Sequence, residues 1–173
     1  MGQAGIQDQK PCDLSDLILR PYRAQDRHAC HDVYYEAVHV GAARAYSQAQ
    51  RNAWAPQTSP SPASPDKMLD MVAFVAEGTD RLEGFIAMER NGHLDLAFVR
   101  PCWMGRGLAQ NLYDLLYEWA SGTALSQLHT EASHLARPFF EKNGWQVDTS
   151  ETITRDGVSI ERFRMSHIIR DEP

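Results

Sequence analysis

Pro101-Cys102-Trp103-Met104-Gly105-Arg106-Gly107-Leu108-Ala109-Gln110 (PCWMGRGLAQ, residues 101–110) lies between an apolar strand-like run and an apolar helix-like one. Two glycines flank an arginine at that junction. The spacing suits a plain turn, and it equally suits a loop that brings backbone N–H groups against an anion. Two familiar phosphate loops do not fit. A dinucleotide fingerprint needs a small residue at position 110, where Gln110 stands. A P-loop needs Gly-Lys-Ser/Thr, which is absent here. What remains is a helix N-terminus whose first N–H groups lack intrahelical partners and whose dipole adds partial positive charge. A pyrophosphate is the natural occupant of such a place.

Working outward, the residues before the loop predict an antiparallel meander. Met71–Ala76, Leu82–Met88 and His93–Val99 alternate or run apolar, with Gly78-Thr79-Asp80 and Asn91-Gly92 between them. Asn-Gly is the strongest short hairpin signal in the chain. After the loop, Leu108, Leu112, Leu115, Leu116 and Trp119 form an apolar stripe at helical spacing, ended by Ser121-Gly122. Leu125–Thr130 predicts a buried strand. His134–Asn143 predicts a short helix closed by Gly144. Residues 145–154 and 158–167 predict a final hairpin across Arg155-Asp156-Gly157.

Upstream, Asp16–Pro21 predicts a first strand, and Cys30, Val33, Ala37 and Val40 a helix from Asp26 that Gly41 interrupts. Ser47-x-x-Gln50 has capping-box form and predicts a second helix stopping near Trp54. Residues 56–66, PQTSPSPASPD, read as an exposed loop. Residues 1–15 read as a flexible tail and 16–170 as a single domain. The order βαα, βββ, αβα, ββ predicts an α/β (α+β) fold. Its mixed, mostly antiparallel central sheet has about seven strands, with helices on both faces.

Composition narrows the function. The chain has 173 residues, enough for one well-formed core. Its net charge of -6 argues against nucleic acid as the main partner and suits a cationic substrate. No run is long enough to span a membrane. Cys12, Cys30 and Cys102 are odd in number and lack C-x-x-C spacing, which fits reduced thiols in a cytoplasmic protein and points to no metal site.

Two motifs then converge. Met104-Gly105-Arg106-Gly107-Leu108-Ala109 resembles the Gln/Arg-x-x-Gly-x-Gly/Ala pattern of the GNAT superfamily of acetyl-CoA-dependent N-acyltransferases, with Met104 in place of Gln or Arg. Downstream, Ser133-x-x-Ala136-x-x-x-Phe140-x-x-x-Gly144-Trp145 keeps the spacing of that family's Asn-x-x-Ala-x-x-x-Tyr-x-x-x-Gly-Phe, with Ser133 and Phe140 in place of Asn and Tyr. The resemblance spans about Leu17 to Ile168. Some uncharacterised bacterial members also look similar at Tyr46-Ser47, Trp54-Ala55 and Ala136–Glu141.

The resemblance implies acetyl-CoA as co-substrate and a primary amine, of a small molecule or a protein, as acceptor. It places the pyrophosphate on the N–H groups of Met104, Gly105, Arg106, Gly107, Leu108 and Ala109. The pantetheine arm lies along Ala97, Phe98 and Val99, with Ser133 and Phe140 beside it. An ammonium acceptor, with a pKa of about 10.4, must lose a proton before it attacks. Asp95 stands on the strand leading to the loop, with His93 two residues earlier on the same strand face. The two form a candidate proton relay, or are merely exposed positions of an alternating strand. Phe140 offers no hydroxyl to the departing sulfur, so water, another side chain or no acid protonates it. Glu131 and His134 flank the second motif as structural or solvated residues. Tyr34, Tyr46 and Trp54 are candidate acceptor-binding aromatics. The competing reading is a non-catalytic acyl-CoA-binding module. A homodimer is compatible with the sequence and is not fixed by it.

Overall fold

The β-rich half of the chain is built from hairpins, and each is closed by turn residues of the right kind. A computed structural model describes residues 13–169. A short 3₁₀ turn, Leu14–Asp16, leads into β1 (Ile18–Pro21). Then come α1 (Arg27–Glu36), a π-helical turn (Ala37–Gly41) and α2 (Gln48–Trp54). The meander is β2 (Val72–Glu77), β3 (Leu82–Met88) and β4 (Leu94–Val99). A 3₁₀ turn (Pro101–Trp103) and the glycine loop then deliver α3 (Leu108–Ser121). β5 (Gln127–Ala132), α4 (Arg137–Lys142), β6 (Gln146–Arg155) and β7 (Val158–Ile168) complete the chain. The flexible tail expected over residues 1–15 lies, for residues 1–12, outside the described residues.

The seven strands divide into two antiparallel sheets, β1-β2-β3-β4 and β5-β7-β6. Their backbones bridge at one point among the described residues, an isolated parallel bridge between His93 and His129. Gly92 makes that meeting possible. A side chain there would put its first carbon 2.8 Å from the Gln127 carbonyl oxygen, and the Gly92 carbonyl accepts the His129 N–H at 3.1 Å. Only glycine lets the two backbones approach this closely, and its φ of +95° also forms the turn out of β3.

One core lies under α3. Leu108, Leu112, Leu116 and Ala120, all buried, repeat at helical spacing against Ile86, Met88 and Leu94 of the first sheet and Leu128 and Met165 of the second. On the opposite face Cys30 and Val33 of α1 pack on Val75, Phe85 and Ala87. A third cluster of Ala42, Tyr46, Ala53 and Ile160 seats α2 on the β6–β7 hairpin. There the Gln50 amide also donates to the Ser159 carbonyl at 3.1 Å. The capping box on α2 forms as its sequence predicts, with the Ser47 hydroxyl accepting from the Gln50 N–H and the Gln50 side chain accepting from the Ser47 N–H.

β1 is fixed to α1 by a buried charge pair. The Arg20 guanidinium donates to both Asp26 oxygens at 2.7 and 2.9 Å and to Glu77. Arg20 therefore holds the Asp26 carboxyl below its usual range. Because the folded-state pKa lies below the unfolded value, the pair stabilises the fold above about pH 3.9 and loses its effect as pH falls through the folded pKa. We expect Asp26→Asn to lower the unfolding free energy by about 2–4 kcal/mol at pH 7. In urea titrations that difference should shrink towards zero as the wild-type carboxylate is protonated.

Candidate active site

Beyond the bridge at His93, β4 and β5 diverge and leave their facing edges without strand partners. The Thr130 hydroxyl closes the narrow end, donating to the Leu94 carbonyl at 2.7 Å. From there a cleft of about 470 Å³ opens between the sheets, walled by β4, by β5 with the residues after it, and by the aromatic cover of α1 and α2. The Arg100 N–H donates to Glu83 of β3, so the alternation of an antiparallel ladder turns Phe98 and Leu96 towards β3 as well. Ala97 and Val99 therefore direct their N–H and C=O groups away from β3, towards β5. Unpaired backbone groups of this kind are costly unless something pairs with them. Of the three residues that sequence reasoning placed along the arm, two offer backbone groups. Phe98 spends its own on β3 and offers its ring.

The glycine loop follows directly. Its entry is clamped by the buried Arg100, whose guanidinium donates to the Leu82 carbonyl at 2.8 Å and pairs with Glu36. The Trp103 indole N–H donates to Glu83 at 2.9 Å. Glu36 thus serves the loop rather than the cleft. Within the loop, the N–H groups of Met104 and Arg106 donate to the carbonyls of Pro101 and Trp103. The first helical bond of α3 runs from the Asn111 N–H to the Gly107 carbonyl. The amides of Gly107, Leu108, Ala109 and Gln110 are consequently the orphan donors of the helix start. The Met104 side chain packs over Gly41 of the π-helical turn, docking the loop on the α1 segment. Gln110 exchanges amide hydrogen bonds with Asn143 at the end of α4, tying the two motifs together.

The candidate side chains do not all meet. Asp95 lines the cleft and pairs with Lys67 at 2.5 Å. His93 contacts neither of them. Its Nε2 lies 2.8 Å from Glu131, its Nδ1 3.7 Å from Glu89, and its ring stacks on His129. The β3–β4 register slips between Ala87 and Met88, so the two-residue alternation is broken at Asp95. Leu94 consequently packs under α3 while Leu96 packs towards α1. The same-face inference that linked His93 to Asp95 fails at this bulge.

Tyr34, Tyr46 and Trp54 line the cleft together. The Tyr34 hydroxyl donates to the Trp54 carbonyl, and Tyr46 meets the Trp54 ring edge-on at 5.3 Å. Burial pushes the Tyr34 phenol up to about 12. Ser133 and Phe140 line the same cleft from the second motif. Lys67 was not legible as a partner of Asp95, because it reaches the site from the far end of a proline-rich loop. His134, beside the second motif, pairs with Glu161 at 2.8 Å.

The sequence profile of the Acetyltransferase (GNAT) domain matches residues 42–167. The chain belongs to the GNAT acetyltransferase family. It is 28% identical over 154 residues, 89% of its own length and 97% of the relative's, to the uncharacterised N-acetyltransferase YafP of Escherichia coli (strain K12). Its fold resembles a GCN5-related N-acetyltransferase from Rhodopseudomonas palustris, with a TM-score of 0.77 at 24% identity over 87% of this chain and 94% of that one. It also resembles the PaiA N-acetyltransferase of Thermoplasma acidophilum, solved with coenzyme A. There the TM-score is 0.68 at 17% identity, covering 88% and 98% of the two chains.

For a GNAT acetyltransferase the donor is acetyl-CoA, and the chain has the features that suit it. Strand-edge groups at Ala97 and Val99 suit an amide-bearing arm, and the orphan amides at the start of α3 suit a diphosphate. No helix among the described residues is long and apolar enough to cross a membrane.

Gly107 begins α3 at a φ of +90°. The nearest atom to a side chain there would be Leu14 Cδ1 at 3.4 Å, an ordinary contact. The constraint is therefore backbone conformation rather than space. We expect Gly107→Ala to cost about 1–2 kcal/mol, measured by chemical denaturation. The double variant with Leu14→Ala should recover none of it; full recovery would show a steric clash instead.

Proposed function

We propose that this chain transfers an acetyl group from acetyl-CoA to a primary amine of a small molecule or protein, by direct attack of the amine on the thioester. One observation carries the reading: β4, which walls the cleft, turns the backbone groups of Ala97 and Val99 away from β3, and the glycine loop follows it in the chain. An arm bound there as an extra strand satisfies both edges. It also places its thioester end towards Asp95 and Thr130, with the diphosphate at Gly107 to Gln110. Positioning of this kind is worth about 7–11 kcal/mol of the barrier.

Asp95 is the group proposed to meet the amine. Its present partner, Lys67, is mostly exposed. An exposed pair of this kind holds by at most about 1 kcal/mol, so an incoming ammonium competes for the same carboxylate. Asp95 then takes the amine proton, directly or through one water, as nitrogen bonds to the acyl carbon. His93 and Glu131 stand at the closed end of the cleft as a second polar pair. Tyr34 and Trp54 form the acceptor wall, their aromatic faces and edges suited to an alkylammonium or an apolar group. Tyr34 stays neutral and fixed, since its hydroxyl is already bonded.

The test is acetyl-CoA turnover against a panel of amines, followed by thiol release. We expect turnover with at least one amine class. Coenzyme A binding with no turnover across a broad panel would make the chain a binding module. Asp95→Asn is expected to lower kcat about 10²-fold while leaving the coenzyme A dissociation constant unchanged. An unchanged kcat would remove Asp95 from the reaction.

A further inference from the structure

A departing thiolate is stabilised by a donor, and Phe140, buried in the second motif, has none to offer. The cleft nevertheless contains hydroxyls, and their partners separate them. The Tyr34 hydroxyl donates to the Trp54 carbonyl at 2.5 Å and that of Thr130 to the Leu94 carbonyl at 2.7 Å. Both protons are already engaged. Tyr46 differs. Its oxygen accepts, taking the main-chain N–H of His134 at 2.9 Å. Ser133, whose side-chain oxygen accepts the Ala136 N–H at 3.1 Å, lies beside it. A phenol oxygen that accepts from the main chain keeps its own O–H for another partner.

We propose that the Tyr46 hydroxyl donates its proton to the departing coenzyme A sulfur, from the wall of the cleft opposite β4. This rests on the reading of the cleft as an acetyl-CoA site. Tyr46 is 4% exposed and held by Trp54 on one side and by the start of the α4 segment on the other, so the phenol cannot swing away. Residues 133 and 134 directly follow β5, the strand that faces Ala97 and Val99. Tyr46, Ser133 and Phe140 line the same space. The α1–α2 connection thus brings a hydroxyl to the region where α4 supplies a bare ring.

The step balances as follows. The amine nitrogen forms the N–C bond, and the C–S bond breaks with its electron pair going to sulfur. The amine proton leaves through Asp95 to solvent. The Tyr46 proton goes to sulfur, giving the coenzyme A thiol. The phenolate left behind is held by the His134 N–H and regains a proton from solvent through the cleft mouth. Burial raises the Tyr46 pKa above that of an ordinary tyrosine, so the phenol enters each cycle protonated across the neutral range.

The direct test reads the sulfur rather than the rate. Coenzyme A bound to the protein is titrated by its thiolate absorbance, with binding measured separately by calorimetry. A hydroxyl donating to sulfur lowers the bound thiol pKa below its free value of about 8.5. We expect Tyr46→Phe to bind coenzyme A with unchanged affinity but to move that pKa up by about one unit. In turnover, Tyr46→Phe should lose about 10²-fold in kcat with acetyl-CoA. It should lose far less with an acetyl thioester of a more acidic thiol, which needs no donor. Phe140→Tyr in the Tyr46→Phe background should restore part of the loss. Coenzyme A that binds wild-type protein yet titrates identically in both proteins overturns the role of Tyr46. Coenzyme A that fails to bind wild-type protein overturns the reading of the cleft itself. Should Tyr46→Phe melt early, fluorotyrosine at position 46 keeps the ring and lowers the phenol pKa. The bound thiol pKa must then fall further, and no change counts against the proposal.

Discussion

The parting of β4 from β5 is the constraint on which the rest of the molecule depends. Two antiparallel sheets share a core under α3, yet they touch through backbone only where Gly92 and His93 meet His129. Continuous pairing would close the cleft and satisfy every edge group. The chain instead fills the gap at one end with the Thr130 hydroxyl and leaves the other end open. Leu94, Leu128 and Met165 bury the seam below, so apolar packing rather than strand hydrogen bonding holds the two sheets together.

The surroundings of the cleft follow from that separation. α3 starts a few residues after β4 ends, so its orphan amides closely follow the unpaired edge of Ala97 and Val99 in the chain. The buried Arg100, with Glu36, Glu83 and Trp103, fixes the angle at which the loop leaves the strand. α1, Tyr46 and the end of α2 roof the cleft. Their aromatic residues are held by carbonyls and neighbouring rings, which leaves a stiff wall and few free polar groups.

Local chemistry made much of this legible in the sequence. The Ser47-x-x-Gln50 box, the Asn91-Gly92 turn, the apolar stripe of α3, and the Gly144 and Gly157 turns each depend on neighbours within a few residues, and each forms where its pattern says. The first strand of the meander was expected one residue early, at 71–76 against the observed Val72–Glu77, because strand ends are set by partners rather than by propensity. The division of seven strands into four and three was not legible, since it depends on contacts between Gly92 and Gln127 across the fold. The bulge at Asp95 was equally hidden. One extra residue in β4 leaves the alternation looking regular on paper and sends His93 to Glu131 in space. Met104, a departure from the family pattern, makes sense only against Gly41, 63 positions away in the chain.

The central claim is that main-chain amides at the start of α3 hold the diphosphate while the edge of β4 holds the arm. Calorimetric titration with acetyl-CoA and with acetyl-pantetheine, which lacks the diphosphate and nucleotide, separates the two contributions. We expect acetyl-CoA to bind with a clear heat and raise the melting temperature. Acetyl-pantetheine should bind at least tenfold more weakly, and Gly107→Ala should remove most of the difference between them. Equal affinities for the two compounds, or no binding of either at millimolar excess, would contradict the claim.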